Sequence, residues 1–230
     1  MCDILVIAQF HENLAWIESA ASETREMRIV RYTKESGNYG RESASYIRFI
    51  AEHYRDTRTA NDTLVCFSQG SIRGGRQTRM TSFSLPPRKS APYTPLFNSI
   101  RVRFDSCGRP DDRLPCLMHI ATSINITTPR EANVGAFFRT TMRALRAVPL
   151  DVWWHLYHLH FTHTFCRLPW VMERLWENLL SQRPALKHTN YFGGSTLRQN
   201  IQNSAVCPAA GSANGRGARG AQTGGDEAVS

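Results

Sequence analysis

The sequence predicts an α/β protein with a three-layer, mostly parallel sheet and a helical C-terminal part. Three observations carry this. Short apolar runs alternate with helix-period stretches through the first seventy residues, the pattern of parallel βαβ units. Aromatic-rich stretches of helical length follow residue 150. The composition, 41% hydrophobic over 230 residues with a mean hydropathy of −0.38, suits one folded domain and excludes a multi-span membrane protein or a wholly disordered chain.

Asp3-Ile4-Leu5-Val6-Ile7-Ala8 is a continuous apolar run of strand length, as expected for a strand covered on both faces. Asn13 is suited to cap a short helix that buries Trp16, Ile17, Ala20 and Ala21. Met27 to Tyr32 reads as a second strand, and the loop Thr33 to Gly40 leads into a second helix. Its Tyr46, Ile47, Phe49, Ile50 and Tyr54 share a face at helical spacing. Thr63 to Phe67 is a third buried strand. Ser99 to Phe104 and Leu117 to Thr122 are expected as strands, and Asn133 to Phe138 fits either strand or helix. Leu150 to Phe165 is expected to be helical. Pro169 opens a last helix, Trp170 to Leu180, with Val171, Leu175, Trp176 and Leu179 on one face. The domain therefore spans residues 3–180. Residues 181–230 form a poorly ordered extension, rich in Gly, Ala and Ser from 208.

The formal charge is +9, and 25 of the 28 basic residues are Arg. Arginine offers a planar fork for phosphate or carboxylate, although a skewed genome composition produces the same bias. Nine basic residues, Arg73 among them, fall between Ser71 and Arg113 against Asp105, Asp111 and Asp112. This Ser/Pro-containing segment, 71–113, reads as a basic, loop-rich excursion. The six cysteines lack zinc-ligand spacing and are expected as reduced thiols that fill core space. Two N-x-T sequons, Asn61-Asp62-Thr63 and Asn125-Ile126-Thr127, acquire meaning only in a secretory compartment. No apolar stretch is long enough to span a membrane and no signal-peptide layout is visible, so an intracellular soluble protein is the default expectation.

In parallel α/β sheets ligands gather at the carboxyl ends of strands. Three polar clusters fall at such ends: His11-Glu12-Asn13, Asn38-Tyr39-Gly40-Arg41-Glu42, and Ser68-Gln69-Gly70. Gly40 permits a tight turn, and the amides that follow open a helix, an anion-binding arrangement. Arg41 in the first turn opposes the helix dipole, so a carboxylate such as Glu12 or a bound phosphate must hold it. A structural Arg–Glu pair between loops accounts for the same residues. Glu42 suits the dipole.

The same residues resemble a known family. His11-Glu12-Asn13-Leu14-Ala15-Trp16-Ile17 looks like its opening motif. Asn38-Tyr39-Gly40-Arg41-Glu42 through Ser45-Tyr46-Ile47 resembles its Asn-x-Gly-Arg-Glu-x-x-x-Tyr block, and Phe67-Ser68-Gln69-Gly70 its Phe-x-Gln-Gly strand end. Weaker similarity appears at Val134 to Phe138 and from Pro169-Trp170 to Glu173-Arg174-Leu175-Trp176. The family is mainly fungal, also algal and bacterial, and consists of glycosyltransferase-like α/β proteins with no assigned activity. The resemblance implies a GT-A-type fold and a nucleotide sugar or related phosphorylated ligand. Metal-dependent members of that superclass use an Asp-x-Asp motif, which this chain lacks, so a divalent metal is not expected. On this reading Arg41, with Arg73, neutralises a leaving diphosphate and Glu12 serves as general base. Asn13, Asn38, Gly40, Glu42, Gln69 and Gly70 line the ligand.

Two rival functions remain open on sequence: a non-catalytic ligand-binding module on the same scaffold, and a basic protein that docks on nucleic acid or an anionic surface through the excursion. The excursion lacks the aromatic platforms or groove-entering helix that nucleic-acid binding requires. His155, His158, His160 and His163 have spacings that metal ligands use, but the surrounding aromatics favour a packing helix. Oligomeric state leaves no mark in the sequence.

Overall fold

The structure, a computed structural model, describes residues 2–12, 14–15, 17, 27–33, 41–70, 91–96, 100–103, 114–129, 131–134, 137–162, 167–182 and 184–185. Asn13, Asn38, Gly40 and Arg73 lie outside these residues. So do most of the 71–113 excursion, the body of the helix expected after Asn13, His163, and the extension beyond 185.

Strand β1 (Ile4–Gln9) is central and apolar, with Leu5, Val6 and Ile7 fully buried. It pairs in parallel with β2 (Arg28–Thr33) on one side and β3 (Leu64–Gln69) on the other. The registers Ala8↔Tyr32 and Ala8↔Gln69 bring the three carboxyl ends to one edge of the sheet. Beyond β3 the sheet changes sense. β7 (Phe138–Thr141) runs antiparallel to β3 and is followed at the edge by β4 (Thr94–Pro95), also antiparallel, giving the order β2-β1-β3-β7-β4. The sheet is thus mixed: β4, antiparallel to β7, runs in the same sense as β1, β2 and β3, and β7 runs against them. Pro95 suits this outer position because it lacks an N–H for an inward ladder. A separate antiparallel pair joins β5 (Ile100–Arg103) to β6 (Glu131–Val134), so the stretch from Asn133 to Phe138 supplies parts of two strands.

Helix α1 (Arg41–His53) lays Tyr46, Ile47, Phe49 and Ile50 on the sheet. Tyr46 and Phe49 meet Phe67 of β3 with ring centroids 4.8 and 6.0 Å apart. The segment expected as a strand from Leu117 to Thr122 is instead helix α2 (Leu114–Ser123). Its buried Cys116, Leu117, Ile120 and Ala121 recur at helical spacing, and Pro115 suits a first turn. Helices α3 (Met142–Ala147), α4 (Leu150–Thr162) and α5 (Leu168–Ser181) follow. Trp176 of α5 completes the core, 4.9 Å from Phe138, 6.1 Å from Trp153 and 6.3 Å from Tyr46. Each such aromatic buries enough area to contribute roughly 2–3 kcal/mol. Among the described residues no helix is long and apolar enough to cross a membrane.

The cysteines correct the reduced-thiol expectation. Cys2 and Cys66 are disulfide-bonded with Cα atoms 5.9 Å apart, tying the chain's start to the middle of β3. Cys116 is also disulfide-bonded. The parallel pairing of β1 with β3 makes neighbours of residues 64 positions apart, a proximity that sequence spacing does not reveal.

Candidate functional site at the strand-end rim

Parallel pairing places the ends of β1, β2 and β3 together, and side chains stitch them. The Gln9 Nε2 donates to the Glu12 carbonyl at 3.1 Å, and the Thr33 hydroxyl reaches Gln9 Oε1 at 3.5 Å. The Phe10 N–H donates to the Glu12 carboxylate, and the Gly70 N–H donates to the Ala8 carbonyl at 2.8 Å. Gly70 backs directly onto this carboxylate: a Cβ there would lie 2.8 Å from Glu12 Oε2 and 3.3 Å from the Gln9 Cα. The first and third polar clusters are therefore in contact, through Glu12 and Gly70.

The second cluster sits above the helical layer. Helix α1 follows β2 and packs back over β1, so its first turn lies at the same rim. Contacts climb α1 and α5 together, from Arg41 over Trp170 (4.2 Å) to Tyr46 against Trp176. Both N-termini therefore reach the rim. Helix α4 runs the opposite way and brings its last turn there, with His160 Nε2 2.6 Å from Ser43 Oγ. The His160 Nδ1–H donates to the Leu156 carbonyl at 2.8 Å, which leaves Nε2 of a neutral ring to accept from Ser43. His155 instead meets Ser123 of α2 at 3.3 Å, so these two imidazoles are engaged on different helices.

Arg41 has φ 41° and its side chain is 35% exposed. Its Nε lies 3.8 Å from Glu42 Oε2, so the carboxylate described beside Arg41 is its neighbour's, not that of Glu12. Glu42 is only 6% exposed and its Oε1 has no conventional donor. Glu173 of α5 lies close enough to Glu42 for the two carboxyl groups to act on each other. Burial first, and the Glu42 charge second, push the Glu173 carboxyl up to about 7; Arg174 and Arg41 oppose the rise. Burial likewise raises the Tyr46 hydroxyl, with Glu42 and Glu173 adding to it.

The rim thus holds two groups: Glu12, Gln69 and Gly70 at the sheet edge, and Arg41, Glu42, Ser43, His160, Trp170 and Glu173 at the helix ends. Of the residues identified from sequence, the structure unites Glu12 with Gly70, and Arg41 with Glu42. His160 was weighed only within the histidine cluster, its Ser43 partnership was missed, and Glu173 was noticed only within the weaker similarity. No local signal marks Glu173: with Arg174, Glu177 and Asn178 it reads as the polar face of an ordinary amphipathic helix. Three of the four described non-glycine residues with positive φ, His11, Arg41 and Arg167, lie in turns at this rim. Such backbone costs of order 1–3 kcal/mol each and concentrates at functional sites. A separate cleft of about 420 Å³, lined by Thr127, Glu131, Glu177, Asn178 and Gln182, lies toward the far end of α5 and contains none of the residues identified from sequence.

No family model matches the chain, and no curated protein matches it in sequence. Among the described residues no three of His, Cys, Asp or Glu come together as a cation's ligand set.

Proposed function

We propose that the chain is a glycosyltransferase-like protein of three-layer, GT-A-like design that binds a nucleotide sugar or related phosphorylated ligand at the strand-end rim. One observation carries the reading most. A strained arginine, Arg41, is held by stacking on Trp170 at the start of a helix, and it remains one-third exposed where three parallel strands end. A guanidinium fixed at the N-terminus of a helix is suited to a diphosphate. In the transfer step the C1–O bond to the diphosphate breaks while an acceptor hydroxyl bonds to C1. Arg41 takes up the charge on the departing diphosphate, and Glu12 accepts the hydroxyl proton. The chain has no Asp-x-Asp. The positive charge in this reading is therefore arginine's.

A non-catalytic binding module is favoured by a different observation: the Glu12 carboxylate already accepts the Phe10 N–H and supports Gly70, an orienting role. Calorimetry and thermal melts with UDP, GDP and nucleotide sugars, with and without manganese, test the common part. Saturable binding that weakens tenfold or more in Arg41→Ala is the expected result. Absence of binding by every nucleotide overturns the reading. Sugar transfer to any acceptor, abolished in Glu12→Gln, separates enzyme from module. Strongly salt-dependent RNA binding without nucleotide binding would favour the Arg-rich excursion instead.

A further inference from the structure

We infer that Asn61 and Asn125 are N-glycosylation sites, modified by an oligosaccharide carried on a lipid diphosphate. Two independent observations point to this. Each described cysteine, Cys2, Cys66 and Cys116, is disulfide-bonded. Structural disulfides belong to oxidising compartments, of which the secretory lumen is the one that also transfers glycans to Asn-x-Thr. Both sequons of the chain then prove to lie on exposed turns. Asn61 is exposed in the connection between α1 and β3, and Asn125 is exposed, with φ 56°, immediately after α2.

The local geometry accepts a glycan. The Arg146 guanidinium fixes the Asn61 turn, donating from Nη1 to the Thr59 carbonyl and to Asn61 Oδ1 at 2.9 and 2.7 Å. Glycosylation uses Nδ2, so Oδ1 stays available to Arg146. At Asn125 the backbone closes the helix: its N–H donates to the Thr122 carbonyl and the Ile126 N–H to the Ala121 carbonyl. Asparagine tolerates this left-handed conformation, and the exposed amide takes no part in those bonds. In the transfer, Asn Nδ2 bonds to the anomeric C1 as the C1–O bond breaks. The lipid diphosphate departs with the bonding electrons and the amide nitrogen loses one proton. Asn61 precedes β3, and Thr127 hydrogen-bonds Gln182 and Asn178 at the end of α5. Both turns therefore lie at the end opposite the strand-end rim, which glycans there leave open.

The test uses the intact gene product recovered from its own cells and treated with a peptide N-glycosidase. Wild type is expected to gain mobility on treatment, in two steps that are lost one each in Asn61→Gln and Asn125→Gln. Thr63→Ala, which keeps the Asn61 bond to Arg146, is expected to behave as Asn61→Gln does. Thiol alkylation before reduction should leave Cys2, Cys66 and Cys116 unlabelled. Unchanged wild-type mobility, or a shift that survives in the double variant, overturns the inference. A shift abolished entirely by one variant overturns the assignment at the other asparagine.

Discussion

Glu173→Gln offers the most direct probe of the buried carboxyl pair. The Glu173 carboxyl has an ordinary value of 4.5 and is pushed up to about 7 in the fold. Between those values the folded state binds a proton that the unfolded state has released, so stability falls as pH rises through this window. The contribution is fully present below pH 4.5 and is lost by about pH 7. Each pH unit of that separation is worth about 1.4 kcal/mol, so wild type forfeits about 3 kcal/mol across the interval through this group. Glutamine imitates the protonated carboxyl at every pH. Urea melts of both proteins at pH 4.5, 6 and 8 should coincide at the acid end and diverge upward. At pH 8 the variant is expected to be about 3 kcal/mol more stable, with an unchanged m-value. Glu42→Gln should flatten the wild-type slope only partly, because burial, the larger cause, remains. Parallel wild-type and Glu173→Gln profiles at all three pH values would refute a raised Glu173 carboxyl.

Other perturbations report on the rest of the fold. Gly70→Ala forces a Cβ against Glu12 Oε2 and the Gln9 Cα. It should cost about 1–3 kcal/mol in chemical denaturation, with partial recovery on adding Glu12→Ala; recovery must be incomplete because the Gln9 backbone does not move aside. Cys2→Ala removes a cross-link spanning 64 residues. Chain entropy puts the loss near 4 kcal/mol, and thermal melts of the variant should resemble those of the reduced wild type at this bond. Trp176→Ala empties a fully buried site among Tyr46, Phe138 and Trp153. A loss of about 3–5 kcal/mol in urea melts is expected, and a loss below about 1 kcal/mol would mean that the core is not packed as described.

What the sequence revealed depended on how local the determinant was. β1, α1 and β3 were legible because their apolar periods coincide with the faces they bury. The antiparallel half of the sheet was not. β7 carries Phe-Arg-Thr-Thr, a polar-looking run, yet Arg139 and Thr140 are both buried. Its place beside β3 is fixed by pairing across some seventy residues, for which no local pattern exists. The helix from Leu114 to Ser123 was misread because a short apolar run satisfies both periods. At the rim, Glu12, Arg41 and Gly70 stood out as members of polar clusters at strand ends, Arg41 also by opposing its helix dipole. The raised Glu173 carboxyl was hidden, since Glu173 and Glu42 lie 131 positions apart in numbering and meet only because α1 and α5 run side by side.

That side-by-side arrangement also explains why the first turn of α1 is so unlike a stable helix start. A helix designed for stability alone would place an exposed cap there, with its charges in water. Here Glu42, Ser43 and Ser45 are buried, the preceding backbone at Arg41 is strained, and a second carboxyl is brought against the first. The strained backbone and the second carboxyl weaken the fold at neutral pH, while the Arg41 guanidinium is held against Trp170 and Glu42. Replacing Trp170 with Leu should therefore leave the core beneath it intact while freeing Arg41. It should raise the dissociation constant for a bound nucleotide about tenfold and leave the urea midpoint within about 1 kcal/mol of wild type. A large loss of stability with nucleotide affinity unchanged would show that the stack serves the fold and not the ligand.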